Sequence, residues 1–572
     1  MENLANPLLR YCIIILCSYG ALACSGSTKH VPDQLKTEYL TNPVGLDIKQ
    51  PRLSWILNDD RRGAAQSAYR IIVSDSRRKA EHHTGNQWDS DKITSDSTLN
   101  IPYSGKPLES NKTYYWRVRT WDQDGKPGSW SQINTFHTGL LNNGEWQASW
   151  ITIPDSSVNS PLFRNDFTLD EEIASAYAFV TGVGYYEFYL NGQKVGNHVL
   201  DPAITNYENK ILYETYEVTP HLKAGKNGVG FWLGNGGYRI NRSSNRWTWY
   251  GTDNFFGNPA GLMQLHVQFK DGSSKIITTN NEWKTSNSPI IYQNVYGGED
   301  YDHRLEQPGW SKAGYDDSSW QQSLTTEKPD ITLSSQLIEP MRVTQTLEPK
   351  RQINPEPGKH IYDFKQNFPG WWQIKVKGEA GAQIKVRASE TLNDSLFPTP
   401  LEQGDQISTY QPYHDNVWTT YTLRGDGEEQ WEPRFFYTGF RYLEVTVSDP
   451  DKISDFEIYG RVMHSDIDRN GSFSCSNTLL NQIYDAAVWS QKGNLHGYPT
   501  DCPHREKGAY NGDGQVIAET SMHDFHMQPM YTKWVNDMRD SQYENGRIPN
   551  TSPEILGGTG GGIAWGSAYI LI

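Results

Sequence analysis

The sequence predicts a multidomain fold of three β-sandwich or jelly-roll units followed by an all-α region. Three observations carry this. Up to about residue 463 the apolar residues alternate in short runs bounded by Gly, Pro, Asn and Asp, and after about 464 they recur at helical spacing. The chain has 572 residues, which at roughly 150 residues per domain is about four domains. The composition is rich in aromatics and glycine, with 20 Trp, 33 Tyr and 50 Gly. Such a composition is common in exported β-sandwich proteins and where sugars stack on aromatic rings, although most of these rings are read as sandwich core. Lys+Arg is 52 against Asp+Glu 67, a net charge of -15, which argues against a nucleic-acid partner. With 36% hydrophobic and 21% charged residues, a polytopic membrane protein is excluded.

The elements follow in order. Tyr11 to Ala23 is an apolar run of signal-peptide length, too short to span a bilayer. Ala21-Leu22-Ala23-Cys24 followed by Ser25-Gly26-Ser27-Thr28 resembles a bacterial lipobox, so residues 1–23 are expected to be a lipoprotein signal and Cys24 to carry lipid. The chain is expected to be exported, periplasmic or anchored at the outer membrane, with Cys24 its sole membrane attachment. Of five cysteines, Cys475 and Cys502 would remain. They form no disulfide framework and no zinc pattern, and either pair or stay as buried free thiols. Residues 32–141 read as a sandwich, with strands at 53–57, 69–73 and 113–120; Tyr115-Trp116-Arg117-Val118-Arg119 and Gly128-Ser129-Trp130-Ser131 resemble a fibronectin type III domain. Residues 142–330 hold a second β unit, in which Asn191-Gly192 between alternating runs marks a hairpin. Trp247, Trp249 and Tyr250 there either rim a glycan site or pack against a neighbouring domain. Residues 331–463 form a third β unit. From 464 to 572, Leu479, Leu480, Ile483, Tyr484, Ala487 and Val488 predict a helix capped by Ser476 or Asn477. Further helices are expected over 516–524 and from about Met530 to Tyr543.

The chemistry concentrates between the first two helices. Pro499 to Gln515 packs Asp501, Glu506, Asp513, Arg505, His504 and Tyr510 into a stretch broken by Pro and Gly. Crowded carboxylates push one another's pKa values apart, leaving one acid protonated and others ionised. Cleavage of a glycosidic bond needs that division of labour. The same composition also suits a solvated loop, with Asp501 capping and Arg505 pairing a neighbour.

Asp501-Cys502-Pro503-x-Arg505-Glu506 followed by Gly512-Asp513-x-Gln515 resembles the signature of bacterial α-L-rhamnosidases, glycoside hydrolase family 78. Further matching segments are Gly184 to Gly196 with Leu200-x-Pro202-x-x-Thr205-x-Tyr207, Tyr296-Gly297-Gly298-Glu299-x-Tyr301-Asp302-x-Arg304, Asp363-Phe364-x-Gln366-Asn367-x-x-Gly370-Trp371 and Gly439-Phe440-Arg441-Tyr442. The likeness runs from 32 to 572. It implies that 142–330 is the family's sugar-binding-like domain and that 464–572 opens an (α/α)6 six-hairpin catalytic barrel. It implies an exo-acting, inverting hydrolase that releases terminal α-L-rhamnose from plant-type glycans or glycosides without metal or organic cofactor. Glu506 falls on the general acid. Asp501 and Asp513 fall on acids that bind rhamnose hydroxyls, and Arg505 lines the same pocket. Trp565 falls at a barrel helix start and either stacks on the sugar or only packs. The family has Gly-Trp after the acid; Gly508-Ala509-Tyr510 stands here, which makes Tyr510 a pocket candidate and leaves two alternatives, a rhamnosyl-glucuronate lyase using His504, Arg505 or Lys507 and a non-catalytic sugar-binding protein.

Length sharpens the expectation. Roughly a hundred residues follow position 463, whereas a barrel of twelve helices of about 11–12 residues with loops needs on the order of 300. The chain is therefore expected to be an N-terminal fragment that carries the acid, lacks the base carboxylate, is inactive alone and exposes apolar surface on its last helices.

Overall fold

Alternation at period two builds the first unit from β1 (Arg52–Ile56), β2 (Gln66–Ser74), β3 (Thr113–Asp122) and β4 (Asn134–Thr138). Tyr114, Trp116, Val118 and Thr120 of β3 are buried, and the residues between them are partly exposed. β3 pairs antiparallel with β2 and β4. The sheet holding these three strands faces a three-stranded sheet containing β1, around Trp55, Ile71, Trp116 and Phe136. The computed structural model describes residues 31–572 apart from 156, 241–245, 247–253, 327–330, 393–406, 408–416 and 556–559. The expected signal, Cys24, Trp247, Trp249 and Tyr250 lie outside the described residues.

The second unit is also two sheets. β5 (Leu162–Leu169), β7 (Tyr185–Leu190) and β9 (Gly225–Gly234) share one, with β9 central among them. β6 (Ile173–Val183), β8 (Lys210–Glu217) and β10 (Ala260–Phe269) share the other, with β6 central. Asn191 and Gly192 take φ of 51° and 85° at the expected hairpin, the left-handed pair that a tight two-residue turn needs.

A boundary at 330 does not separate the second and third units. β11 (Ile290–Asn294) and β12 (Gly298–Asp302) leave the second unit and join the ten-stranded sheet of the third. The chain then returns, and β13 (Thr332–Ser335) pairs parallel with β8. Local alternation says where strands are, but not which sheet accepts them. The third sheet otherwise comprises β14 (Met341–Leu347), the twenty-residue β15 (Lys359–Gly378), β16 (Gln383–Ser389), β17 (Thr419–Thr422), β18 (Thr438–Val447) and β19 (Ile453–Ser465), with two short strands, Arg351–Glu356 and Glu428–Trp431, paired to β15. β15 lies between β18 and β19. Arg441 on β18 donates to both oxygens of the buried Asp363 on β15, at 2.9 and 3.1 Å, tying together two of the segments picked out in the sequence.

Five helices follow among the described residues: α1 (Thr478–Lys492), α2 (Asn511–Asp524), α3 (Gln528–Asp540), α4 (Ile563–Gly566) and α5 (Ala568–Leu571). Among the described residues they do not close a barrel. Asn477 caps α1, accepting from the N–H groups of Leu479 and Leu480. One expectation is corrected: α2 begins at Asn511, so Asp513 stands in a first helical turn instead of a loop. The apolar stripe of α1 is exposed at Leu479 (62%) and Ile483 (56%) and buried at Val488, and Val516 on α2 is 82% exposed. α3 docks on the second unit, where Lys533 Nζ donates to the Ile204 carbonyl and Lys210 pairs with Asp540.

Candidate active site

The turn between α1 and α2 closes on itself. The Asp501 N–H donates to the Gly508 carbonyl at 3.0 Å, and the Gly508 N–H returns to Asp501 Oδ1 at 2.8 Å. The Cys502 thiol donates to Asp501 Oδ2 at 3.0 Å and its sulfur accepts from the Glu506 N–H at 3.3 Å. Asp501 is thus the internal clasp of the turn that presents Glu506. Cys502 and Cys475 are both free thiols; Cys475 is exposed, against the expectation of burial, and Cys502 is partly buried. Burial pushes the Cys502 thiol up to about 12.

Burial also raises the Asp501 carboxyl to about 6; the Cys502 hydrogen bond opposes the shift and the Glu506 charge adds to it. The Glu506 charge thus acts on the Asp501 carboxyl. Asp513 is also raised, by desolvation. Asp501 and Asp513 line one cavity of about 300 Å³ between α1, the turn and α2, with Gln491, Asn494, Thr500 and Tyr531. Glu506, Arg505, Tyr510 and Trp565 are not among its lining residues. Glu506 Oε1 lies 3.6 Å from Arg505 Nη2. Tyr510 stands at the N-cap position of α2, its ring against Gly508. Trp565, 37% exposed, lies over Gly512, where an added Cβ would be 2.7 Å from the indole. Packing is thus established for Trp565. On the other side of α2 Gly514 faces Trp534, so two glycines that disfavour a helix by propensity are required here by the tryptophans beside them.

Sequence reasoning missed the groups that hold the turn from outside. An added Cβ on Gly439 would lie 2.5 Å from Pro503 Cγ, so β18 passes directly under the turn. His504 Nδ1 lies 3.6 Å from Glu390, which accepts from Asn367 at 2.8 Å. Burial lowers the His504 pKa. The Lys507 side chain enters between Tyr296 and Tyr437, and its carbonyl accepts from the Tyr498 hydroxyl. Gly439 and Asn367 were visible as motif residues; their contact with the turn was not. Among the described residues, His198, Asp201 and Glu214 form a group of metal-ligand type. His198 Nδ1 meets Asp201 Oδ2 at 2.9 Å, while Arg342 Nη2 lies 3.4 Å from Nε2. Gln336 Nε2 donates to both Asp201 and Glu214, tying the group into the junction of the second and third units.

Family models match in chain order: a Rha78A-like N-terminal immunoglobulin domain over 32–142, an α-L-rhamnosidase N-terminal domain over 171–345, a bacterial α-L-rhamnosidase concanavalin-like domain over 353–464 and a bacterial α-L-rhamnosidase 6 hairpin glycosidase domain over 468–572. The fibronectin type III likeness of the first unit gains no support, its match being an immunoglobulin domain. Similar curated proteins include an α-L-rhamnosidase of Formosa agariphila, 34% identical over 89% of this chain and 55% of that protein, and one of an Alteromonas species, 31% identical over 96% and 60%. The chain spans 55% to 67% of the length of the curated relatives it matches. Among solved structures, an α-L-rhamnosidase from Dictyoglumus thermophilum aligns with TM-score 0.87 at 37% identity, over 95% of this chain and 61% of the other. One from Streptomyces avermitilis, complexed with L-rhamnose, aligns with TM-score 0.86 at 26% identity, over 95% and 68%.

Proposed function

Because the chain belongs to the bacterial α-L-rhamnosidase family, we propose that it carries the acid half of an inverting exo-glycosidase site that releases terminal α-L-rhamnose from plant-type glycans or glycosides. Glu506, protonated, gives its proton to the glycosidic oxygen as the bond to the anomeric carbon lengthens. The leaving group departs neutral, and positive charge spreads over the ring. Asp501 and Asp513 accept hydrogen bonds from rhamnose hydroxyls, and Arg505 lies beside the acid. Tyr510 and Trp565 are proposed as aromatic walls. The inverting reaction needs a second carboxylate to activate water on the opposite face. Since the relatives are longer, we place it in further hairpins that complete an (α/α)6 barrel over the exposed faces of α1 and α2. The substrate is a rhamnose-containing oligo- or polysaccharide, and no nucleic acid takes part. We further propose export, with lipid on Cys24 the sole membrane attachment; metabolic labelling with palmitate, lost in Cys24→Ala, checks this.

The observation that carries the reading is the Glu506 charge acting on the Asp501 carboxyl, beside a cavity that Asp501 shares with Asp513. The lyase alternative draws no support from Lys507, which is seated among tyrosines, or from His504, which lies beside Glu390. Calorimetry with L-rhamnose tests the site. Asp501→Asn and Asp513→Asn are expected to weaken binding at least tenfold, and Glu506→Gln to leave it within about threefold. Binding indifferent to both Asp variants refutes the assignment. The 572-residue chain is expected to leave an aryl rhamnoside intact; release of free rhamnose by it would place the base within this chain.

A further inference from the structure

The acid-bearing turn ends on a side chain that reaches out of it. Lys507 is 3% exposed, and its Nζ stands 4.9 Å from the ring centroid of Tyr296 and 5.1 Å from that of Tyr437. The His504 carbonyl accepts from it at 3.5 Å, and the Tyr498 hydroxyl donates to the Lys507 carbonyl at 3.3 Å. The Lys507 backbone is left-handed, φ 49°. A residue with a Cβ adopts that conformation at a cost which glycine escapes. Glycine stands next, at 508, yet this position holds lysine; the side chain is what the position uses.

Both walls of the cage depend on one turn of the third unit. Tyr296 lies between β11 and β12, with its N–H and that of Gly297 donating to Asn294 Oδ1 at 2.8 and 3.1 Å. Gly298 has φ 109°, and a Cβ there would fall 1.8 Å from the Trp418 carbonyl oxygen, so no other residue fits. Glu299, fully buried, accepts the N–H groups of Arg434 and Phe435 at 3.2 and 3.1 Å and thereby brings in the segment that carries Tyr437. Tyr437 in turn stacks on His496 at 4.5 Å.

We propose that Lys507 is the positioning residue of the acid-bearing turn: seated between Tyr296 and Tyr437, it ties residues 501–508 to the third β unit and so sets where Glu506 stands. The purpose of this tie rests on Glu506 being the acid; the tie itself does not. Tyrosine faces suit both an ammonium and an alkyl stem, and burial pushes Lys507 down to about 7 from its ordinary 10.5. The seated side chain therefore favours the neutral amine, whereas a turn swung open returns the amine to water and to its proton. By linkage the closed turn gains stability as pH rises above 7 and is flat below it. The other groups facing Lys507 titrate elsewhere. Asp501 stands at about 6, His496 at about 3, and His504 is lowered from 6.5. Cys502 is pushed to about 12, and Tyr437 and Tyr498 lie well above 10.

Hydrogen exchange of 501–510 in the purified chain, corrected for intrinsic rates, is the test. Wild type is expected to gain at least tenfold in protection from pH 7 to 8.5. Lys507→Met, an apolar side chain of similar length, should keep the turn closed but lose the slope. Lys507→Ala should lose at least tenfold at pH 7, with α1 and α3 unchanged. A slope that survives in Lys507→Met, or wild-type protection in Lys507→Ala, overturns the proposal; if the Ala variant fails to fold, the Met slope decides alone. Exchange needs no turnover, and Glu506→Gln should retain the slope. Failure here therefore leaves the role of Glu506 standing, and failure of Glu506 leaves the tie.

Discussion

Replacing Gly514 by alanine sets two effects of opposite sign against each other. Alanine is the better helix former by about 0.8–1.0 kcal/mol, and Gly514 lies inside α2. The ideal Cβ, however, falls 2.2 Å from Trp534 Cη2, 2.8 Å from Cζ2 and 2.9 Å from Cζ3. Ordinary carbon contacts need about 3.5–4.0 Å, so the indole would have to retreat by more than an ångström. It has little freedom to do so. Trp534 is fully buried, and its Nε1 donates to the Ser552 carbonyl at 2.9 Å. Overpacking of this kind costs about 1–3 kcal/mol, and the tethered ring argues for the upper end. The net expectation is a loss of about 2 kcal/mol. Urea dependence of hydrogen exchange in α2 and α3 isolates the helical region from the β units. In a Trp534→Phe background the offending indole atoms are gone, and the same alanine should turn neutral or stabilising by up to about 1 kcal/mol, a coupling of roughly 2–3 kcal/mol. A Gly514→Ala variant at least as stable as wild type, or an equal effect in both backgrounds, would refute the packing argument.

Three further expectations follow from the same contacts. The folded Asp501 carboxyl, at about 6 against an ordinary 3.8, favours its proton, so its contribution to stability is present at low pH and is lost as pH rises from about 4 to 6, at up to about 1.4 kcal/mol per unit. Asp501→Asn should remove that slope, and Glu506→Gln should lower the Asp501 midpoint in carboxyl-carbon NMR. Arg441→Met leaves Asp363 buried without its bidentate partner and should cost about 3 kcal/mol in denaturant melts, while the double variant Asp363→Asn/Arg441→Met should recover much of it. The exposed apolar side chains of α1, α2 and α5, among them Ile570 at 85% and Leu571 at 65% exposure, should bind a hydrophobic dye and promote self-association. Leu480→Glu with Ile483→Lys and Val516→Glu should suppress both in light scattering with little change in stability, since surface substitutions usually fall within about 0.5 kcal/mol.

From the sequence alone came strands such as β3, the first helix with its cap narrowed to Ser476 or Asn477, and the contiguous residues of the 501–515 turn. These are local matters. Alternation marks β3, Asn477 offers an oxygen to the orphan N–H groups of α1, and the 501–515 signature is contiguous. The start of α2 was illegible because propensity reads Gly512 and Gly514 as breakers, while the reason for them, Trp565 and Trp534, lies 53 and 20 positions further along the chain. Periodicity likewise marks the apolar stripe of α1 but does not say what covers it. Only the tertiary structure decided that β11 and β12 cross into the third sheet, that Gly439 passes under Pro503, and that the turn from Tyr296 to Glu299 builds a cage for Lys507. Each of these is a close approach between segments more than sixty residues apart. No local pattern encodes such an approach; it is settled by the shape and hydrogen-bonding demands of surfaces that exist only once the sheets have formed.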